Sequence, residues 1–203
     1  SVYSDSYTDI ITNANPGWGQ SGAVDAAFDP LGDGSNSVLA MTNFNFQGME
    51  VTATDLSAME FLHVDVWVAA GTDRMLKVTP INNGDGATEF LVEVPLTPGA
   101  WNSVDLPKSA FTGMTWNSVF QMKFDGQFNA DGSANATGWD VYLDNVYFYR
   151  TVSTSLTPTD VAASPTVDAA NVISVYSDSY TDVATLYNPG WSQSGTVDEV
   201  FDP

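Results

Sequence analysis

Thirty residues that return nearly unchanged fix the size of what this chain can fold into. SVYSDSYTDIITNANPGWGQSGAVDAAFDP at Ser1–Pro30 recurs as SVYSDSYTDVATLYNPGWSQSGTVDEVFDP at Ser174–Pro203, with 22 of 30 positions identical and an offset of 173. That period is far longer than a solenoid repeat, so a whole domain is starting again. The first copy must therefore close within Ser1–Arg150. Residues 151–173, rich in Ser, Thr, Pro, Ala and Val without usable periodicity, read as a linker. Residues 174–203 are the truncated start of a second copy. They are too few to enclose a core, so they are predicted to be loosely held or to need a partner surface. The chain reads as part of a larger multimodular protein.

Within the first copy almost every segment reads as strand. The expected strands are Val2–Thr8, Val38–Asn43, Met49–Thr52, Leu62–Ala69, Met75–Ile81, Thr88–Val94, Asn102–Leu106, Val119–Asp125 and Val141–Tyr149. Turn formers separate them, as in Gly32-Asp33-Gly34-Ser35-Asn36, Asn82-Asn83-Gly84-Asp85-Gly86, Pro98-Gly99 and Asp131-Gly132-Ser133. No long segment keeps a helical period, although Asp55–Glu60 could form one helical turn. Short, evenly punctuated strands predict an all-β fold, a two-sheet β-sandwich of the jelly-roll, galactose-binding-like kind.

Charge narrows the partner. Five basic residues (Arg74, Lys77, Lys108, Lys123 and Arg150) stand against 25 acidic ones, a formal charge of −20. Nucleic acid and acidic lipid surfaces need clustered cations that are missing here, so a neutral partner fits best. The same charge serves solubility in a salty medium. There is no cysteine, so stability must come from packing, with a hard cation on oxygen ligands as the one metal option. No apolar run of membrane-spanning length and no signal peptide occurs, so a soluble chain with no membrane partner is expected.

The candidate site begins at Phe61–Ala69. Leu62, Val64, Val66 and Val68 fall on one face, and His63, Asp65 and Trp67 fall on the other. Imidazole, carboxylate and indole in one row offer hydrogen bonds beside a flat apolar plate. A pyranose ring has C–H groups on its faces and hydroxyls at its rim, and this pairing satisfies both. In Val119–Asp125, alternation leaves Gln121 and Lys123 polar; if this strand joins the same sheet, they share that surface. Trp18, in the turn-rich Asn15–Gln20 loop, is a candidate clamp, and Phe44 and Phe46 could extend the platform. Trp101, Trp116 and Trp139 read as structural. Asp144 sits beside Asn145 in an otherwise apolar strand, where an uncompensated buried carboxylate would cost several kcal/mol.

Catalysis is not expected. Asp65 and Asp125 are the nearest thing to a hydrolase pair, but 25 acids make chance pairs common. One histidine and no cysteine remove most nucleophilic triads. A spacer or adhesion module is the alternative from another class; it predicts that the His63, Asp65 and Trp67 face plays no part in binding glycan.

Five motifs in order, Val2–Asp9, Glu60–Val68, Trp101–Phe111, Met122–Gly126 and Val141–Tyr149, resemble non-catalytic β-sandwich modules of secreted polysaccharidases from marine Bacteroidetes, laminarinases among them. The resemblance implies a carbohydrate-binding module that is secreted or displayed at the cell surface, often in tandem. It makes a neutral β-1,3-glucan such as laminarin the leading ligand, with alginate held through calcium as runner-up. It also implies a structural calcium, with Asp144 as ligand and Asp5 and Asp33 as the positions expected to help.

Overall fold

Leu62, Val64, Val66 and Val68 are fully buried, and His63, Asp65 and Trp67 between them are partly exposed. A strand with one face on a core has this alternation. The computed structural model describes residues 1–152, 162–184, 189, 191, 192, 195 and 197. The chain divides into two compact units, Ser1–Thr151 and Val152–Pro203.

The first unit is built from β1 (Ile11–Asn13), β2 (Ala23–Phe28), β3 (Val38–Phe44), β4 (Phe46–Thr54), β5 (Phe61–Trp67), β6 (Arg74–Asn82), β7 (Val92–Val94), β8 (Trp101–Pro107), β9 (Val119–Asn129) and β10 (Trp139–Tyr149). They form two five-stranded sheets in the orders β1-β4-β9-β6-β7 and β2-β3-β10-β5-β8. Every named pairing is antiparallel. The fold is the expected all-β sandwich. Met49, Met122, Phe124, Leu76 and Val78 of one sheet meet Leu39, Met41, Leu62, Val64, Val66, Val141 and Leu143 of the other in a common core. Each such side chain contributes roughly 1.5–3 kcal/mol on leaving water.

Two departures matter for the surface. Asn145 takes a left-handed φ of 48°, and the β10–β5 register shifts between Asp144 and Tyr147. Asparagine tolerates that conformation, and the bulge turns Val146 into the core while Tyr147 stays outward. The first segment, expected as strand Val2–Thr8, is instead a loop joined to β10 by one bridge, Tyr3 to Val146. Tyr3 N–H donates to the Val146 carbonyl at 3.0 Å, and Val146 N–H donates back to Tyr3 at 2.8 Å. Asp55–Glu60 closes a single turn, with Met59 N–H donating to the Leu56 carbonyl.

In the second unit, Ser174–Val183 repeats two local hydrogen bonds of Ser1–Ile10. Val183 N–H donates to the Ser174 carbonyl as Ile10 N–H does to Ser1, both at 2.8 Å. Ser177 N–H donates to Asp182 at 3.1 Å as Ser4 N–H does to Asp9 at 3.3 Å. The first ten residues of the returning segment thus carry local bonds of their own. Residues 153–161, most of the expected linker's first half, lie outside the described residues.

Candidate functional site

The outer face of the β2-β3-β10-β5-β8 sheet is laid out in rows by strand register. Trp67 of β5 stands opposite Tyr142 of β10 on one side and Trp101 of β8 on the other. Tyr142 meets Trp67 edge-on at 5.5 Å between centroids and Phe28 of β2 at the same distance. These four rings with Pro30 and Val38 line an open cleft of about 300 Å³. Trp101, which the sequence reading set aside as structural, is 49% exposed and forms one wall. Its pairing with Trp67 would have revealed it, because Trp101, Ser103 and Asp105 alternate outward in the same way.

Below this aromatic row lies a polar one, Asp144, Asp65 and Ser103, followed by Tyr147, His63 and Asp105. His63 stacks on Tyr147 at 4.6 Å, and its Nδ1 stands 2.7 Å from Asp105 Oδ1. Its Nε2 lies 3.3 Å from Asp65 Oδ1 and 3.5 Å from Ser103 Oγ. Asn145 donates its side-chain amide to Asp65 Oδ2 at 2.9 Å. His63 and Asp65 therefore spend their first hydrogen bonds on one another's neighbours and stiffen the floor beside the cleft. Asp105, half-exposed, keeps room to accept from a ligand. Burial raises the Tyr147 phenol above its ordinary range, with nearby Tyr7, Asp105 and Asp65 adding to the shift, so this hydroxyl stays protonated and able to donate.

Gln121 and Lys123 do not share this surface. They belong to β9, which sits in the other sheet, because Val119–Asn129 pairs with β4 and β6 rather than with β5. Asp65 and Asp125 are separated in the same way and cannot flank one bond. Trp18 also lies with the second sheet: a Cβ on Gly48 of β4 would run into its ring, so the indole rests directly on that strand's backbone. Phe46 and Gly48 stand opposite Asp125 and Lys123. Lys123 Nζ lies 5.0 Å from the Phe46 ring centroid and pairs with Glu89 at 2.8 Å and Asp125 at 3.2 Å. Burial alone would lower its pKa, but the hydrogen bond to Glu89 and the charges of Asp125 and Glu89 outweigh this and raise it. Phe44 is a core residue, 1% exposed, and takes no part in either face.

The three carboxylates expected to hold calcium do not form one shell. Asp144, 8% exposed, accepts from Asn145 N–H at 2.7 Å and from the Asn36 amide at 3.2 Å. Asp5 accepts from Ser37 N–H at 2.8 Å, so it and Asp144 grip neighbouring residues of one loop. Asp33 instead caps its own turn through Ser35 N–H at 2.9 Å, and the Ser35 hydroxyl and N–H hold its carboxyl below the usual range. Among the described residues no group of three or more His, Asp or Glu is placed to hold a metal ion. Calcium takes six to eight oxygens, and each of these three carboxylates already accepts from an amide N–H. As placed, Asp5, Asp33 and Asp144 do not by themselves form a shell for the ion.

No family model matches the chain, and no curated protein matches it in sequence. Among solved structures, similarity is found to carbohydrate-binding modules. One is the family 11 module of the cellulosomal cellulase Lic26A-Cel5E of Clostridium thermocellum, with a TM-score of 0.48, 10% identity, and coverage of 76% of this chain and 95% of that one. Another is a family 11 module of the same organism in complex with a β-1,3-1,4-mixed-linked tetrasaccharide, with a TM-score of 0.46, 10% identity, and coverage of 66% and 85%. A third is the CBM22-2 xylan-binding domain of Paenibacillus barcinonensis Xyn10C, with a TM-score of 0.41, 14% identity, and coverage of 72% and 95%. At these scores the likeness carries no argument about what this chain binds.

Proposed function

We propose that the Ser1–Thr151 unit is a non-catalytic carbohydrate-binding module for a neutral polysaccharide, a β-1,3-glucan such as laminarin, that holds an attached enzyme or surface protein on its substrate outside the cell. The observation that carries this reading is the open cleft walled by Trp67, Trp101, Tyr142 and Phe28 beside a polar row. Sugar rings lay their C–H faces on the two indoles, and rim hydroxyls reach Asp105 and Ser103. A formal charge of −20 favours a neutral ligand over an anionic one. The linkage preference rests on the resemblance of the five sequence motifs to laminarinase-associated modules.

The binding floor is preset by the His63, Asp65, Asp105 and Asn145 hydrogen bonds, so little ordering accompanies ligand uptake. An open cleft leaves much of the sugar wet, which keeps affinity per module modest. Tandem copies would compensate through effective concentration. The test is affinity electrophoresis of the full chain in gels containing laminarin, mixed-linkage glucan, alginate or carrageenan. Retardation by laminarin that is clearly weakened in Trp67→Ala is the expected result. No retardation in any gel by folded protein would leave a spacer or adhesion role.

A further inference from the structure

The residues Trp18, Phe46, Gln121 and Lys123, displaced from the first site by topology, are gathered on the outer face of the opposite sheet. We infer that this face is a second glycan platform, so that one module holds two neutral oligosaccharide chains on opposite sides. The inference rests on the glycan reading of the first face and extends it.

Three observations lead there. First, the loop carrying Trp18 is pinned rather than loose. Gln47, 1% exposed, donates its amide to the Ala14 carbonyl at 2.9 Å and to the Gly48 carbonyl at 2.8 Å. Gln20 donates to Asn15 Oδ1 at 2.6 Å, and Ser21 N–H donates to Asn45 Oδ1 at 2.8 Å. A partly exposed indole is thereby held against β4, with Gly48 supplying the space. Second, an aromatic and two polar side chains adjoin it. Phe46 is two residues from Gly48 on the same side of β4, and Gly48 and Glu50 stand opposite Lys123 and Gln121. Lys123 is held in place by Glu89, at 2.8 Å and 3.0 Å, rather than left to reorient. Third, no positive charge is left in surplus. The Lys123 ammonium is answered by two carboxylates, Glu89 and Asp125, and Lys77 stands opposite Asp125 and Glu93, so the face has no surplus of cations to recruit an anionic glycan. An aromatic plate, an amide and a lysine engaged by two carboxylates together fit the ring faces and hydroxyls of an uncharged sugar.

The repeat agrees. Asn15, Pro16, Gly17, Trp18, Gln20, Ser21 and Gly22 all return at 188–195, while Asn13 and Ala14 beside them become Leu186 and Tyr187. The indole is kept together with Asn15, Gln20 and Ser21 of its own loop.

The test is calorimetric titration of the full chain with a β-1,3-linked glucohexaose, alongside Trp18→Ala, Gln121→Ala and Trp67→Ala variants with melting temperatures checked. Two equivalents bound by the parent chain are expected, falling to one in Trp18→Ala and one in Trp67→Ala, with the second site weakened in Gln121→Ala. Gln121 is the safeguard if Trp18→Ala loosens its loop. One equivalent, lost in Trp67→Ala and untouched by Trp18→Ala and Gln121→Ala, would overturn the second platform and leave the first standing. One equivalent lost in Trp18→Ala and untouched by Trp67→Ala would overturn both the pairing of sites and the Trp67 cleft. No heat with any protein would remove the glycan reading itself.

Discussion

Single side chains on the first face divide into those that meet the ligand and those that hold the floor. Trp67 and Trp101 are walls, so replacing either by alanine should weaken laminarin binding on the order of tenfold, about 1.4 kcal/mol, with the melting temperature nearly unchanged. Affinity electrophoresis beside thermal melts checks this; a Trp101→Ala variant that binds as before would remove that wall from the site. His63 has the other role. Its 2.7 Å bond to Asp105 and its stack on Tyr147 are structural, so His63→Ala should lower stability by roughly 1–3 kcal/mol in denaturant titration. A loss of binding without a loss of stability would make it a direct sugar contact instead. Period two already reveals that His63, Asp65 and Trp67 share a face. That Asp105 and Asn145 had claimed their hydrogen bonds is a cross-strand fact, and alternation along one strand carries no cross-strand information.

At the level of strands, turn signals and alternation were enough for most of both sheets, because each central strand buries one full face. Partnership was not legible. Gln121 and Lys123 have the right pattern for the His63 surface, but pattern fixes only which face a residue takes within a sheet and not which sheet the strand joins. β1 and β2 escaped for a different reason: Ile11–Asn13 is three residues long, and the alanines of Ala23–Phe28 give little hydrophobic contrast. The bulge at Asn145 reverses the alternation that Val141 and Leu143 begin, so Tyr147 and Tyr149 point outward against a simple reading. Packing between the sheets makes a sharper prediction at Gly126 of β9, where an added Cβ would run into the Phe44 and Trp139 rings. Gly126→Ala should therefore destabilise by about 1–3 kcal/mol in chemical denaturation; an unchanged midpoint would mean that these rings can retreat.

For the molecule as a whole, the raised pKa values set where stability is lost with pH. Hydrogen bonding to Glu89 raises Lys123 against the effect of burial, and burial raises the Tyr3 and Tyr147 phenols. All three contribute fully below the ordinary lysine and tyrosine pKa of about 10, and the contribution is lost as pH rises through the raised folded values. The melting temperature should fall from about pH 10 upward, and a curve flat through that range would contradict these assignments. A chelator should leave the melting temperature unchanged, since Asp5, Asp33 and Asp144 are satisfied by N–H donors. A clear fall would mean that Asp5 and Asp144 recruit further oxygens around an ion. The central claim, however, is the cleft, and indole N–H resonances report on it residue by residue. Titrating the full chain with laminarin oligosaccharide should shift the Trp67 and Trp101 signals and leave Trp116 and Trp139, packed against the core, in place. Shifts that spare both Trp67 and Trp101 at saturating sugar would contradict the account.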